Sequence, residues 1–210
     1  MTADAGRDRL ELVATVLLSC ATLATAWSGY QSTRWNGEQV KAGGRANALR
    51  VESAKAADLA NAQSGIDVAT FTQWVNAYAQ GQTRLADFYF KRVSEEFRPA
   101  VTSWVATRPL KRPDAPLTPF AMPQYKLEAR VEADRLAGQA ELFAAQVRRN
   151  IQRASNYVLG AVLFASVLFF AGMGTKLRSP RLRVGMLAIG SAVFILTAAW
   201  VAVSPVSLAV

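Results

Sequence analysis

The sequence predicts an all-α membrane protein: three transmembrane helices, with an extracytoplasmic antiparallel helical bundle continuous with the first and second spans. Three observations carry this. Tyr157 to Gly174 and Val184 to Val203 hold no charged residue, and each is close to the about 20 apolar residues that cover a hydrocarbon core of about 30 Å. A softer apolar stretch, Leu12 to Tyr30, lies near the start of the chain. Most of the remainder repeats its apolar residues at three- and four-residue steps, the period of a helix face.

Composition narrows the function classes. The 210 residues include 24 Lys and Arg, 15 Asp and Glu, no His and one Cys, and 51% are hydrophobic. Without His and with a lone Cys20, zinc sites, Ser/His and Cys/His nucleophile pairs and disulfide frameworks lack parts. No catalytic residue, metal ligand or cofactor site is therefore expected. The acid pairs Glu95-Glu96 and Glu132-Asp134 read as solvated, because adjacent helical positions do not face one another. Residues 31–155 carry 18 basic against 12 acidic side chains, interspersed rather than gathered. Nucleic acid is accordingly not an expected partner; lipid headgroups, envelope polymers or an acidic protein are.

The elements follow in chain order. Residues 1–9 form a tail with Arg7 and Arg9, and residues 10–30 the first span, with Glu11 at its water-facing end because a charge at the helix centre would cost about 2.5–3.5 kcal/mol. Thr15, Ser19, Thr22, Thr25 and Ser28 interrupt this span, but hydroxyls can bond back to their own helix. Thr15, Ser19, Thr22, Ala26 and Gly29 make a stripe of small residues along which helices approach closely. Two processing readings compete with an uncleaved anchor. Ala24-Thr25-Ala26 resembles a signal cleavage site, and Leu17-Leu18-Ser19-Cys20 an imperfect lipobox that would acylate Cys20.

Residues 31–156 form the outer helical domain. Ala42, Ala46, Leu49, Ser53, Ala56 and Ala60 are a close-packing seam that extends the first helix outward, with Gly43-Gly44 the expected bend or break, at about 1 kcal/mol per Gly relative to Ala. Ser64 to Asp67 supplies capping side chains for a new helix bearing Phe71, Trp74, Val75 and Tyr78. After Gly81 the pattern Leu85, Phe88, Tyr89, Val93, Phe97, Val101, Trp104 continues, with Pro99 kinking it or starting a new turn. Phe71, Trp74, Phe88 and Trp104 are core residues or, alternatively, the lining of a ligand pocket. Residues 108–125 hold five prolines and read as a loop; Pro113, Pro116 and Pro119 would lie along one edge of a polyproline II helix or a stiff connector. Lys126 to Tyr157 returns to helix, with Leu127, Val131, Leu136, Ala140, Phe143, Val147, Ile151 and Ala154 on one face, and runs into the second span, residues 157–174.

Residues 175–183 link it to the third span, residues 184–203, and contain Lys176, Arg178, Arg181 and Arg183 without an acid. Cytoplasmic loops carry the excess of Lys and Arg, so this link is expected on the cytoplasmic side of the inner membrane. The N-terminal tail then falls on the same side, with residues 31–156 and the tail 204–210 outside.

The most distinctive string is Ala24 to Gln39, Ala-Thr-Ala-Trp-Ser-Gly-Tyr-Gln-Ser-Thr-Arg-Trp-Asn-Gly-Glu-Gln. Trp27, Tyr30 and Trp35 suit a membrane interface. Gln31 adds polar reach, and Arg34 can stack on Tyr30 and pair with Glu38 one turn on. These six residues read as a contact site for a partner or as an interfacial belt with an ion pair. The string and the order of spans resemble a group of small bacterial three-span membrane proteins; the resemblance covers residues 24–39 in detail and the rest as a plan, and implies no activity. The outer segment is also loosely similar to the four-helix extracytoplasmic sensor domains of receptors, which implies an output through a partner.

The functional expectation is a non-enzymatic scaffold, accessory or sensing subunit of a cell-envelope complex, self-associating or bound to another membrane protein. Two alternatives stand beside it: a homo-oligomeric channel lined by the hydroxyls of Thr15, Ser19 and Thr22, and a ligand-binding sensor. A carrier is disfavoured because ion pathways usually place ionisable residues inside spans.

Overall fold

The computed structural model describes residues 2–208 apart from 110 and 178, and among the described residues it is helical without strands. The elements are α1 (Thr2–Ala79), α2 (Thr83–Phe90), α3 (Arg98–Ala106), a 3₁₀ turn (Pro119–Ala121), α4 (Glu128–Lys176) and α5 (Pro180–Ala202). Helices α1, α4 and α5 each contain a stretch long and apolar enough to cross a membrane. Met1, Arg178 of the basic link and the last two residues of the tail lie outside the described residues. The helix ends also shorten that link: α5 begins at Pro180, so Arg181 and Arg183 are helical.

The chain divides into two compact units, Met1–Gly44 with Phe143–Val210, and Arg45–Leu142. In the first, three helical segments share a core of Ala14, Leu17 and Ala21 from α1, Val167 and Ala171 from α4, and Leu187 from α5. Glycines set the spacing. A Cβ on Gly160 would stand 3.1 Å from Val201 and 3.6 Å from the Ser28 hydroxyl, and one on Gly190 3.4 Å from Phe170 and 3.5 Å from Leu17. Small residues of this kind let apolar helices approach where lipid offers no hydrophobic driving force between them. Within this unit α1 and α5 run in the same direction: Glu11 pairs with Arg183 at one end, at 3.4 Å, and Trp35 meets Pro205 at the other.

The buried face of α1 in this unit runs through Ala14, Leu17, Ala21, Ser28, Gln31, Trp35 and Ala42, which places the expected packing stripe elsewhere. Thr15, Ser19, Thr22, Ala26 and Gly29 are all exposed. The small side chains nearest the partner helices win the contact, and the stripe lies on the adjoining face. Its hydroxyls are satisfied as expected within the helix: Thr15 donates to the Glu11 carbonyl at 2.8 Å, Ser19 to Thr15 at 2.9 Å and Thr22 to Leu18 at 2.8 Å.

The second unit joins the part of α1 from Arg45 onward to α2, α3, the proline-rich loop and the start of α4. The small-residue seam Ala46 to Ala60 is buried or half-buried as its spacing predicts. Ser53 donates to the Ala133 carbonyl at 2.8 Å, Arg130 to the Asn61 side chain at 2.6 Å, and Arg50 pairs with Glu141 at 3.1 Å. Leu127, just before α4, and Ala133, Leu136 and Ala140 on it are buried, whereas Val131 and Ile151, expected on the packed face, are exposed.

Two expected interruptions of α1 are corrected, since the helix continues through both Gly43-Gly44 and Ser64 to Asp67. Two glycines cost about 1 kcal/mol each relative to Ala, too little to end a helix that is packed on either side of them. Asp67 is not a cap. It is buried, and its carboxylate accepts the Tyr125 hydroxyl at 3.2 Å. Burial, and then the nearby Asp67 charge, raise the Tyr125 phenol above its ordinary value. The helix runs on to Ala79, and just beyond it Gly81 at φ 69° forms a Schellman end: Gln82 N–H donates to the Ala77 carbonyl and Gly81 N–H to that of Tyr78.

The segment after Gly81 is two helices rather than one. Between them the Ser94 hydroxyl accepts the Phe97 N–H at 3.2 Å, and Pro99 sits in the first turn of α3, where a missing donor is harmless. The proline-rich loop is not a polyproline II rod. Lys111 and Arg112 N–H donate back to the Arg108 carbonyl, Ala115 N–H to that of Arg112, and Pro119 opens the 3₁₀ turn that inserts Phe120 into the aromatic core. Of the acid pairs, Glu96 accepts the Glu128 N–H at 3.3 Å at the start of α4, and Glu132 pairs with Arg135 at 2.6 Å. The Arg135 guanidinium holds the Glu132 carboxyl below its usual range.

Candidate functional site

The string expected to carry partner contacts, Trp27 to Glu38, lies wholly on α1 and splits between two faces. Trp27 and Tyr30 point outward, 42% and 51% exposed, with ring centroids 5.9 Å apart. Gln31 and Trp35 point inward and are buried. Four-residue spacing puts Gln31 and Trp35 on one face, while Tyr30 belongs to its neighbour.

The inward face grips the segment that follows α5. Trp35 donates its indole N–H to the Pro205 carbonyl at 3.1 Å, and Tyr157 of α4 donates its hydroxyl to the same oxygen at 3.2 Å. The Gln31 side-chain carbonyl accepts the Ser207 N–H at 3.0 Å. Arg153 lies over the Trp35 ring, 4.5 Å from its centroid, and Ala154, Tyr157 and Val201 pack around the indole. The reason is local. Beyond Ala202 the chain leaves its helix, so Pro205 and Ser207 carry backbone groups with no helical partner, and buried backbone polar groups must be paired. A Gln and a Trp at four-residue spacing provide one acceptor and one donor at the required level.

Arg34 and Glu38 do not pair as the sequence suggested. Glu38 takes Lys41 at 2.9 Å, and the cation stacked on a ring of this string is Arg153, on Trp35, rather than Arg34 on Tyr30. The buried Gln31 Nε2, Ser28 Oγ and Arg34 Nε have no protein hydrogen-bond partner. Sequence reasoning missed Ser28, Arg153, Tyr157, Pro205 and Ser207. The available signal was the coincidence of tyrosine and proline at the ends of two apolar stretches, since amphipathic rings gather at membrane interfaces.

Of the four residues expected to line a pocket, three come together in the second unit. Phe71 lies 5.8 Å from Trp74 and 5.4 Å from Trp104, and it also meets Phe97 at 6.1 Å and Phe120 at 5.8 Å. Phe88 is not among them. It is 45% exposed, with the Arg92 guanidinium 3.5 Å above its ring. Helix α2 buries Ala86 instead, so its large aromatic falls on the solvent side.

No family model, curated protein or solved structure matches this chain. The chemistry of the site rests on its own groups. They are hydrogen-bonding and stacking groups, one set closing on the chain's own tail and the other, Trp27 with Tyr30, presented outward.

Proposed function

We propose that this is a non-enzymatic integral protein of the inner membrane, acting as a scaffold, accessory or sensing subunit of an envelope complex. Residues 10–30, 157–174 and 184–203 cross the bilayer, residues 1–9 and 175–183 are cytoplasmic, and residues 31–156 stand outside and make the partner contacts. The basic link supports this orientation. The Glu11–Arg183 pair supports placing the tail and the link at the same membrane face, because an ion pair suits a water-facing end of a helix unit. The core contributed by Ala14, Leu17 and Ala21 supports retention of the first span in the folded unit.

One observation carries the reading as an assembly subunit: α1 turns Thr15, Ser19, Thr22, Ala26 and Gly29 away from its own unit, with the three hydroxyls already bonded within the helix. Such a face offers close approach to a second helix at no polar cost, from a second copy or another membrane protein. Exposed Leu59, Ile66, Val131 and Leu142 add apolar surface on the charged helices outside the spans. Replacing Thr15, Ser19 and Thr22 together by Leu is expected to weaken self-association about tenfold, or about 1.4 kcal/mol, because the larger side chains keep a second helix from approaching closely. Because the stripe takes no part in the chain's own core, helicity and thermal stability should be unchanged. Analytical ultracentrifugation in detergent measures it, and an oligomer unchanged by the triple substitution argues against the proposal.

A further inference from the structure

We propose that a recess between the last turns of α1 and the end of α3 binds a small aromatic carboxylate. The recess measures about 290 Å³ and is walled by Trp74, Val75 and Tyr78 of α1 and Trp104 of α3, with Arg108 and Lys111 supplying its charge. That volume lies at the lower edge of small-molecule sites, which run from about 300 to 1,000 Å³, so it fits one ring or two fused rings.

The walls are held in place before any ligand arrives. The Trp104 indole N–H donates to the Pro116 carbonyl at 2.6 Å, and Trp74 is stacked between Phe71 at 5.8 Å and Tyr78 at 5.6 Å. Preorganised aromatic faces cost little ordering entropy on binding. Charge decides the ligand's sign. Among the described residues two cations and no carboxylate line the recess, and Asp114, the acid nearest in sequence, is taken by Arg112 through both its oxygens. That pairing holds the Asp114 carboxyl below its usual range.

Arg108 has a further peculiarity. At φ 54° it is the one non-glycine residue with positive φ among those described, fixed by the Lys111 and Arg112 N–H groups on its carbonyl. Left-handed conformations at non-glycine residues are uncommon and cluster at ligand clamps. A planar guanidinium both forks onto a carboxylate and stacks on a ring, which suits an anion attached to an aromatic body. Phosphate alone would leave the aromatic walls unused, and a peptide segment exceeds the volume.

The test uses the full chain in phosphatidylcholine nanodiscs, with 2-naphthoate as probe, 2-naphthamide as its neutral twin, and saturation-transfer NMR read against empty nanodiscs. Naphthoate is expected to bind saturably, naphthamide about tenfold more weakly. Arg108→Gln and Lys111→Gln should each weaken naphthoate by up to about fivefold, as for exposed ion pairs, and leave naphthamide unchanged. Both side chains are exposed, so circular dichroism of the variants should match the parent. Equal affinity for the two probes, a double variant that binds naphthoate normally, or no saturable signal would overturn the proposal. So would a photoreactive residue at Val75 that cross-links to lipid or to another chain, since the recess would then already be occupied.

Discussion

Phe97→Ala is expected to cost the second unit about 3–5 kcal/mol, the usual loss for deleting a fully buried aromatic ring. Phe97 has no exposed surface and packs among Val93, Ala100 and Val101. Its ring stacks on Phe120 at 4.6 Å, tilted by 13°, and takes the edges of Tyr125 at 5.1 Å and Phe71 at 6.1 Å. It therefore joins α1, α3, the 3₁₀ turn and the approach to α4, and no neighbour can collapse into its place without breaking one of these contacts. Near-ultraviolet circular dichroism during urea titration measures the effect. Phe88→Ala is the control: that ring is half-exposed beneath Arg92, and its loss should cost no more than about 1 kcal/mol. Equal losses from the two substitutions would contradict the assignment of the core.

Trp35→Ala carries the second large effect, about 3–5 kcal/mol in the first unit, together with release of the segment after α5. The indole is 8% exposed, packs on Ala154, Tyr157 and Val201, and supplies one of two donors to the Pro205 carbonyl. Trp35→Phe separates the two contributions, keeping most of the packing and losing only the N–H, at about 0.5–1.5 kcal/mol. A nitroxide at Leu208→Cys, in a Cys20→Ser background, reads the segment's motion. Its spectrum should be restrained in the parent, nearly so in Trp35→Phe and mobile in Trp35→Ala. A label equally immobile in all three would show that Trp35 does not hold the tail.

The parts of the fold legible in the sequence are those written in local period and composition. Uncharged runs marked the three apolar helices, the Ala42 to Ala60 seam marked the buried face of the middle of α1, and Pro99 marked the start of α3. Local signals failed where a distant partner changed their meaning. Asp67 looked like a cap and is held instead by Tyr125, 58 residues away. Gly43-Gly44 looked like a break, but packing outweighs two glycine penalties. Trp35 looked like a belt residue, and its partner Pro205 lies 170 residues on. No periodicity encodes that pairing. The small-residue stripe of α1 was legible as a face, yet which neighbour it meets depends on a rotation of the helix that side-chain size alone does not specify.

Sidedness tests the central claim most directly. Ala115 and Ser179, each changed to Cys with Cys20→Ser, are labelled in intact spheroplasts with a membrane-impermeant maleimide, then again after permeabilisation. Lipid solvation of three stretches, with the long middle segment outside, requires that Ala115→Cys label in intact spheroplasts and Ser179→Cys only once the membrane is opened. Labelling of both positions from the same side, or of Ser179→Cys alone from outside, would contradict it.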